Sequence, residues 1–230
     1  MALPMTECLL CHRENLQQIT LWQLLNFQPV EPSLLCQTCL DRLEPIPLDQ
    51  ACRGCGRHCS TQLCPDCTRW ETLTNFKNRA MFQYNELLRQ FMSQYKFYGD
   101  YRLRQVFQGK IKREVKQIKA DLVIPIPINP ITYQQRGFNQ VAGFLEGVKT
   151  TAALATIEHD KQLPQSAKNR QQRLQMKQPF KLNLSTEKFN KKRILLVDDI
   201  YTTGRTIRHA ATLLLDAGAS EVVGLTLAHG

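Results

Sequence analysis

Apolar and polar positions along this chain repeat with two periods, and the switches between them mark its elements. Tyr84, Leu87, Leu88, Phe91 and Met92 recur at steps of three and four, which predicts a helix from Phe82 onward. Val106, Phe107, Ile111, Val115 and Ile118 form a second helical stripe across residues 104–119. Residues 121–128, DLVIPIPI, are a short apolar run rich in β-branched residues, as in a buried parallel strand that ends in a proline-punctuated loop. Gly137 marks a turn, and Asn139 is a candidate cap for a helix carrying Val141, Phe144, Leu145 and Val148. Residues 152–157 predict another strand. Residues 193–197 predict a strand that delivers Asp198 and Asp199. A helix then runs from near Gly204 to Ala217, with Ile207, Ala210, Ala211 and Leu214 on one face and Gly218 at the C′ position. Residues 221–227, EVVGLTL, close the pattern as a strand. Strand, helix and strand within so few residues imply a right-handed βαβ crossover, hence an α/β fold with a parallel sheet flanked by helices.

Two stretches break these periods. Residues 69–74 read as a linker. Residues 161–193 scatter their large apolar residues, Leu174, Met176 and Phe180 among them, and read as a partly mobile excursion from the core rather than a core element.

The first 70 residues are patterned by cysteine instead. All nine cysteines lie between Cys8 and Cys67: CLLC (Cys8, Cys11), CQTC (Cys36, Cys39), CRGC (Cys52, Cys55), CPDC (Cys64, Cys67) and the leftover Cys59, preceded by His58. Two residues between thiolates let a tight knuckle aim both sulfurs at one ion, and two knuckles complete a tetrahedron. Four pairs imply two structural zinc sites of four thiolates each. Sequential pairing of the knuckles is simplest, and nested or interleaved pairing satisfies the spacing as well. Cys59 is a plain thiol or a substitute ligand. So short a head has little apolar core, so metal supplies much of its folding free energy. The pattern divides the chain into a cysteine-rich module, residues 1–74, and an α/β body, residues 75–230.

Charge sharpens that division. Residues 1–75 hold 5 Lys and Arg against 8 Asp and Glu, and residues 76–230 hold 25 against 12. A basic body beside an acidic head points to a polyanion or a phosphorylated ligand. Residues 161–193 alone hold ten cations against Glu187, more than solubility needs, so polyanion binding stands beside a solvated surface as the explanation. In QYKFYGDYRLR, the aromatics Tyr95, Phe97, Tyr98 and Tyr101 interleave with Lys96, Arg102 and Arg104. Such a mixture either stacks bases and holds phosphates or is a helix end near Gly99, with Phe97 in the core. The start of the chain has no basic segment followed by an apolar run, and no stretch approaches the length of a membrane span. The expectation is a cytoplasmic protein with reduced thiols and no membrane insertion.

The stretch ILLVDDIYTTGRT, residues 194–206, combines opposite chemistries. Helix N-termini and turn amides bind anions, and ligands of parallel sheets sit at the carboxyl ends of strands. Threonine hydroxyls add neutral donors there, and Gly204 lets the backbone approach a monophosphate closely. Asp198 and Asp199 repel phosphate but accept hydrogen bonds from vicinal hydroxyls. A phosphoribosyl group, with a 5-phosphate and a ribose diol, satisfies both halves.

The same stretch resembles the phosphoribosyl-pyrophosphate (PRPP) motif of type I phosphoribosyltransferases. With the four CxxC pairs, YKFYGD, IPIPINPITYQQRGFNQ and QSAKNRQQRLQMKQPF in this order, nearly the whole chain resembles the ComF family (ComFC/GntX-like); Gln175 stands where that family tends to have asparagine. The resemblance implies a type I phosphoribosyltransferase-like domain after the zinc module. It places Asp198 and Asp199 on the ribose diol, directly or through Mg²⁺, as the catalytic pair. Thr202, Thr203, Gly204, Arg205 and Thr206 would cradle the 5-phosphate, the loop at residues 127–130 would take pyrophosphate, and Arg136 would be an anion clamp on a mobile loop. Catalysis from PRPP, with an acceptor the sequence does not identify, would rest on positioning and charge stabilisation. It further implies a late-competence role in uptake of transforming DNA, with single-stranded DNA and a ComFA-type helicase as partners. A PRPP-dependent phosphoribosyltransferase is the alternative activity.

Overall fold

The computed structural model describes residues 6–15, 33–69, 74–157 and 178–230. The head contains a two-residue hairpin, β1 (Thr6–Glu7) and β2 (Glu14–Asn15), and the short helices α1 (Gln37–Asp41) and α2 (Pro65–Arg69). The body runs β3 (Phe76–Gln83), α3 (Glu86–Lys96), α4 (Arg104–Ile118), β4 (Leu122–Pro125), α5 (Pro130–Arg136), α6 (Gln140–Phe144), β5 (Leu154–Thr156), β6 (Phe180–Leu182), β7 (Arg193–Tyr201), α7 (Arg205–Asp216) and β8 (Glu221–His229). Four strands form a parallel sheet in the order β3-β8-β7-β4, and β5 pairs with β6 in a separate antiparallel ladder.

The central strands are apolar nearly throughout, because a parallel sheet is covered on both faces. Their alternation separates two cores. Leu195 and Val197 of β7 join Val223, Leu225 and Leu227 of β8 in a cluster with α3, α4 and α6. Ile194 and Leu196 join Val222 in a cluster with Ile207, Ala210, Ala211 and Leu214 of α7. The head closes the β3 edge of this sheet. Pro45 bridges Phe82, with Ile46 N–H donating to the Met81 carbonyl (2.9 Å) and Gln83 N–H to that of Glu44 (2.8 Å), so the edge is paired rather than open.

The α/β class, the βαβ unit β7-α7-β8, the long helix α4 and the Asn139 cap agree with the sequence pattern. Asn139 Oδ1 accepts from the amides of Val141 (2.8 Å) and Ala142 (3.3 Å). Several elements differ. Phe82 belongs to a strand, not a helix: β3 is FKNRAMFQ, with Phe76, Asn78, Ala80 and Phe82 turned inward. The inward asparagine breaks the apolar alternation, and the helix begins only after its cap, Asn85, which accepts from Leu88 N–H (3.1 Å). The helix at Asn139 ends at Phe144, and Val148 follows the turn at Gly147. The strand expected at residues 193–197 continues through the acid pair to Tyr201, because pairing with β8 continues to Tyr201↔His229. Phe97 is not in the core but 79% exposed. Of residues 161–193, those up to 177, with Leu174, Gln175 and Met176, lie outside the described residues, as do residues 70–73 of the expected linker. Residues 178–193 are no excursion: Phe180 and Phe189 are buried in the α7-side cluster.

Candidate functional site

β4 and β7 are parallel neighbours, with Pro125 opposite Val197, so their following loops emerge at the same end of the sheet. The loop at residues 126–129 leads into α5, whose cap Asn129 accepts from Thr132 N–H (2.7 Å). The turn at residues 202–204 leads into α7. The acid pair occupies the last residues of β7 between them.

Asp199 is buried, 7% exposed, and both its carboxylate oxygens have partners. Oδ2 pairs with Lys96 Nζ and accepts from Gln140 Nε2 (3.0 Å), while Oδ1 accepts from Ile200 N–H (2.7 Å). Asp198 is half-buried, and its Oδ1 accepts from Asp199 N–H (2.9 Å). Crowding by protein atoms and then the Asp199 carboxylate push the Asp198 pKa up. The stretch RGFNQ is accounted for residue by residue. Gly137 ends α5 with φ of 81°, and Phe138 packs against Tyr95 and Tyr101 (ring centroids 5.1 and 4.9 Å). Asn139 caps α6 and donates to the Ile126 carbonyl (3.1 Å). Gln140 reaches Asp199, and Arg136 donates to Gln140 Oε1. Tyr95 Oη donates to the Gln140 carbonyl (2.9 Å) and fixes its backbone.

The hydroxyl-rich turn lies directly beyond. Thr202, Thr203 and Thr206 are exposed, and Arg205 is half-buried. Gly204 caps α7 in the left-handed region, φ 73°, and supplies no side-chain cap. The first amides of α7 lie at the positive end of the helix dipole. A Cβ on Gly204 would stand 2.1 Å from Tyr201 Oη, so the Tyr201 ring lies flush beneath the turn. Tyr201 in turn accepts from Arg208 Nε (3.0 Å) and stacks on His229.

The cysteines gather sequentially. Cys8, Cys11, Cys36 and Cys39 form one cluster and Cys52, Cys55, Cys64 and Cys67 a second, with all four sulfurs of each within 4.8 Å of one another. Both are built alike. Cys8 N–H donates to the Arg13 carbonyl and His12 N–H to that of Cys8; Cys52 N–H donates to the Arg57 carbonyl and Gly56 N–H to that of Cys52. His12 and Gly56 take positive φ to close these knuckles. The second pair in each cluster sits at a helix start, Cys36 just before α1 and Cys39 on it, Cys64 just before α2 and Cys67 on it. Each arrangement is able to hold a tetrahedral metal ion. Cys59 belongs to neither; its sulfur lies 3.1 Å from Thr61 Oγ1.

The structure therefore brings Asp198 and Asp199 together with the turn at residues 202–206, and brings the cysteines into two clusters. Lys96 and Gln140, contacts of Asp199, were not among the expected site residues, and neither were Tyr201 and Arg208. Gln140 stands inside the RGFNQ stretch and Lys96 inside YKFYGD, so the motifs contained the signal without its geometry.

The chain matches the phosphoribosyl transferase domain family over residues 109–229. That stretch holds β4, β7, α7 and β8, so fold and site together define a phosphoribosyl transferase domain, preceded here by two four-cysteine clusters. Competence protein ComFC of Streptococcus pneumoniae is 36% identical over 222 residues, 96% of this chain and 99% of the relative. Competence protein ComFC of Bacillus subtilis is 32% identical, covering 96% of this chain and 93% of the relative. The chain belongs to the ComF family of competence proteins. A solved structure of the allosteric regulatory enzyme of purine biosynthesis overlaps it with a TM-score of 0.33 and 22% identity, over 52% of this chain and 24% of that enzyme.

Proposed function

We propose that the chain binds a phosphoribosyl ligand of the PRPP class at the carboxyl end of β7 and serves competence by handling the transforming single strand, beside a ComFA-type helicase. Asp198 and Asp199 hold the ribose diol, directly or through Mg²⁺. Thr202, Thr203, Gly204, Arg205 and Thr206 cradle the 5-phosphate, and residues 127–130 face the pyrophosphate. Arg136 reaches a bound anion by leaving Gln140. Zinc fills both cysteine clusters of residues 1–74, while residues 75–230 carry the ligand site.

One observation carries this reading: a buried carboxylate paired with Lys96 lies near the end of the same strand from which α7 rises, and that helix has no side-chain cap at its N-terminus. Acceptors for hydroxyls and donors for a phosphate thus stand at two ends of one short turn. The single-strand role is supported by exposed rings and cations. Phe97 and Tyr98 are 79% and 82% exposed directly after Lys96, and Lys112, Arg113, Lys116 and Lys119 are exposed on and just after α4. Bases stack on such rings while cations follow the backbone.

Isothermal titration with PRPP and Mg²⁺ tests the pocket. Saturable binding to wild type and at least about tenfold weaker binding to the Asp198→Ala/Asp199→Ala protein is expected, the loss of roughly one good charged contact. No binding to wild type overturns the ligand reading. Oligo-dT binding tests the surface: Phe97→Ala/Tyr98→Ala should cost about 1–3 kcal/mol per lost stack. Affinity indifferent to salt contradicts a phosphate-driven mode.

A further inference from the structure

The second cysteine cluster reaches the turn at residues 202–204 through two side chains. Arg208, one turn into α7, is 8% exposed and points away from solvent. Its Nη2 lies 3.8 Å from Cys67 Sγ, and its Nε donates to Tyr201 Oη at 3.0 Å. Tyr201, 5% exposed, is the ring on which Gly204 rests; no side chain larger than hydrogen fits between them. A continuous series of contacts therefore runs from a cysteine sulfur through a guanidinium and a phenol to the α-carbon at the head of α7.

Charge explains why the series is built this way. Four thiolates around a divalent ion leave a net charge of minus two, and buried charge needs a counter-charge close by. The donors fit such an ion: the four sulfurs converge, all four residues are buried, and Cys64 N–H donates to Cys52 Sγ at 3.2 Å, as amides do toward thiolates. Arg208 supplies the counter-charge. Its planar fork serves two directions at once, which a lysine ammonium does not do. The cluster is also fastened to the sheet. Asn78 N–H donates to the Gly54 carbonyl (2.9 Å), and Asn78 Nδ2 donates to the Cys55 carbonyl (2.9 Å) and Thr226 Oγ1 (3.2 Å). The first cluster packs instead with Phe82, Phe91 and Phe107 in the core on the other face of the sheet. Outer partners of metal ligands commonly orient more than the metal.

We propose that the second cluster, filled with metal, preforms the phosphate-binding turn: its thiolates anchor Arg208, and Arg208 holds Tyr201 beneath Gly204. Arg208 and Tyr201 are positioning residues, and affinity for a phosphorylated sugar depends on metal in the second cluster rather than the first. This rests on the ligand reading above, and the experiment separates the two. Exchange of the residue-208 amide, whose N–H donates to the Gly204 carbonyl (2.9 Å), is followed in the full metal-loaded chain for wild type, Arg208→Met, Arg208→Lys, Tyr201→Phe and the double variant Arg208→Met/Tyr201→Phe. Ribose 5-phosphate titrations are run in parallel. The expected result is faster exchange by about tenfold or more in each single variant, no further increase in the double variant, and a matching loss of ribose 5-phosphate affinity. In the cobalt-loaded chain, Arg208→Met should shift the thiolate-to-cobalt absorption, while Tyr201→Phe should leave it in place. Unchanged exchange in Arg208→Met, an additive double variant, or a cobalt spectrum blind to Arg208 would each overturn the inference. Failure of wild type to bind ribose 5-phosphate would sink the ligand reading alone, since exchange and cobalt absorption still decide whether the cluster sets the turn.

Discussion

Replacing Lys96 by Met would leave the buried Asp199 carboxylate with Gln140 and one backbone amide but no directly paired cation. Removing one partner of a buried pair costs about 3 kcal/mol, so urea unfolding at pH 7 should show Lys96→Met destabilised by that order; a loss below about 0.5 kcal/mol, typical of an exposed pair, would show that the pair does not hold Asp199. His229 gives a pH dependence. Burial pushes its pKa down from 6.5 to about 4. The unfolded chain takes up this proton near pH 6.5 and the folded chain only near 4, so its contribution is fully present above 6.5 and is lost as pH falls through that window. The loss approaches about 3 kcal/mol. Urea midpoints at pH 7 and 4.5 should fall less on acidification for His229→Gln than for wild type, and equal falls would contradict the account. The acid pair and the threonines were legible because their spacing is local. Lys96 and Gln140 were not legible as partners of Asp199, because the contacts span 103 and 59 positions and only the sheet and helices bring them together.

Helices and caps follow from short-range rules, and those were the most readable elements. Asn139 caps α6 with two accepted hydrogen bonds and ties it to the strand β4 side through the Ile126 carbonyl. Asn139→Ala should cost about 1–2 kcal/mol in thermal or urea unfolding, and should weaken the ligand site, because Gln140 is the first residue of that helix. Unchanged stability would mean that α6 is positioned by its packing alone. β3 was not readable for a reason of the same kind. Asn78 occupies an inward position, and its partners, the Cys55 carbonyl and Thr226, lie 23 and 148 positions away. Those distant groups take both hydrogen bonds of its Nδ2, and no local pattern records them. Phe97 was misjudged in the converse way: it continues an aromatic run after α3, but the chain turns at Gly99 and leaves it outside.

At the scale of the molecule, the two cysteine clusters are parts of the two cores. Cys8, Cys36 and Cys39 pack with Leu10, Leu35 and Phe91, and Cys52, Cys55, Cys64 and Cys67 with Phe76, Ile194 and Leu214. Metal in both clusters, as proposed above, would brace both faces of the sheet. With about 10 kcal/mol of binding free energy available per structural zinc site, a strong chelator should lower the melting temperature by at least about 10 °C; an unchanged melt would mean that the clusters hold no structural metal. The charge contrast, an acidic head before a basic body, belongs to this scale too and was fully legible in the sequence, whereas the sequential pairing of the knuckles needed the fold. The central claim remains that the acid pair and the turn beyond it hold two ends of one sugar phosphate. A crystal of the zinc-loaded chain grown with ribose 5-phosphate tests it most directly. The account predicts ribose hydroxyls within hydrogen-bond distance of the Asp198 and Asp199 carboxylates, and the phosphate on the amides of residues 203–206. A phosphate bound elsewhere on the basic surface, with both aspartates untouched by the sugar, would contradict it.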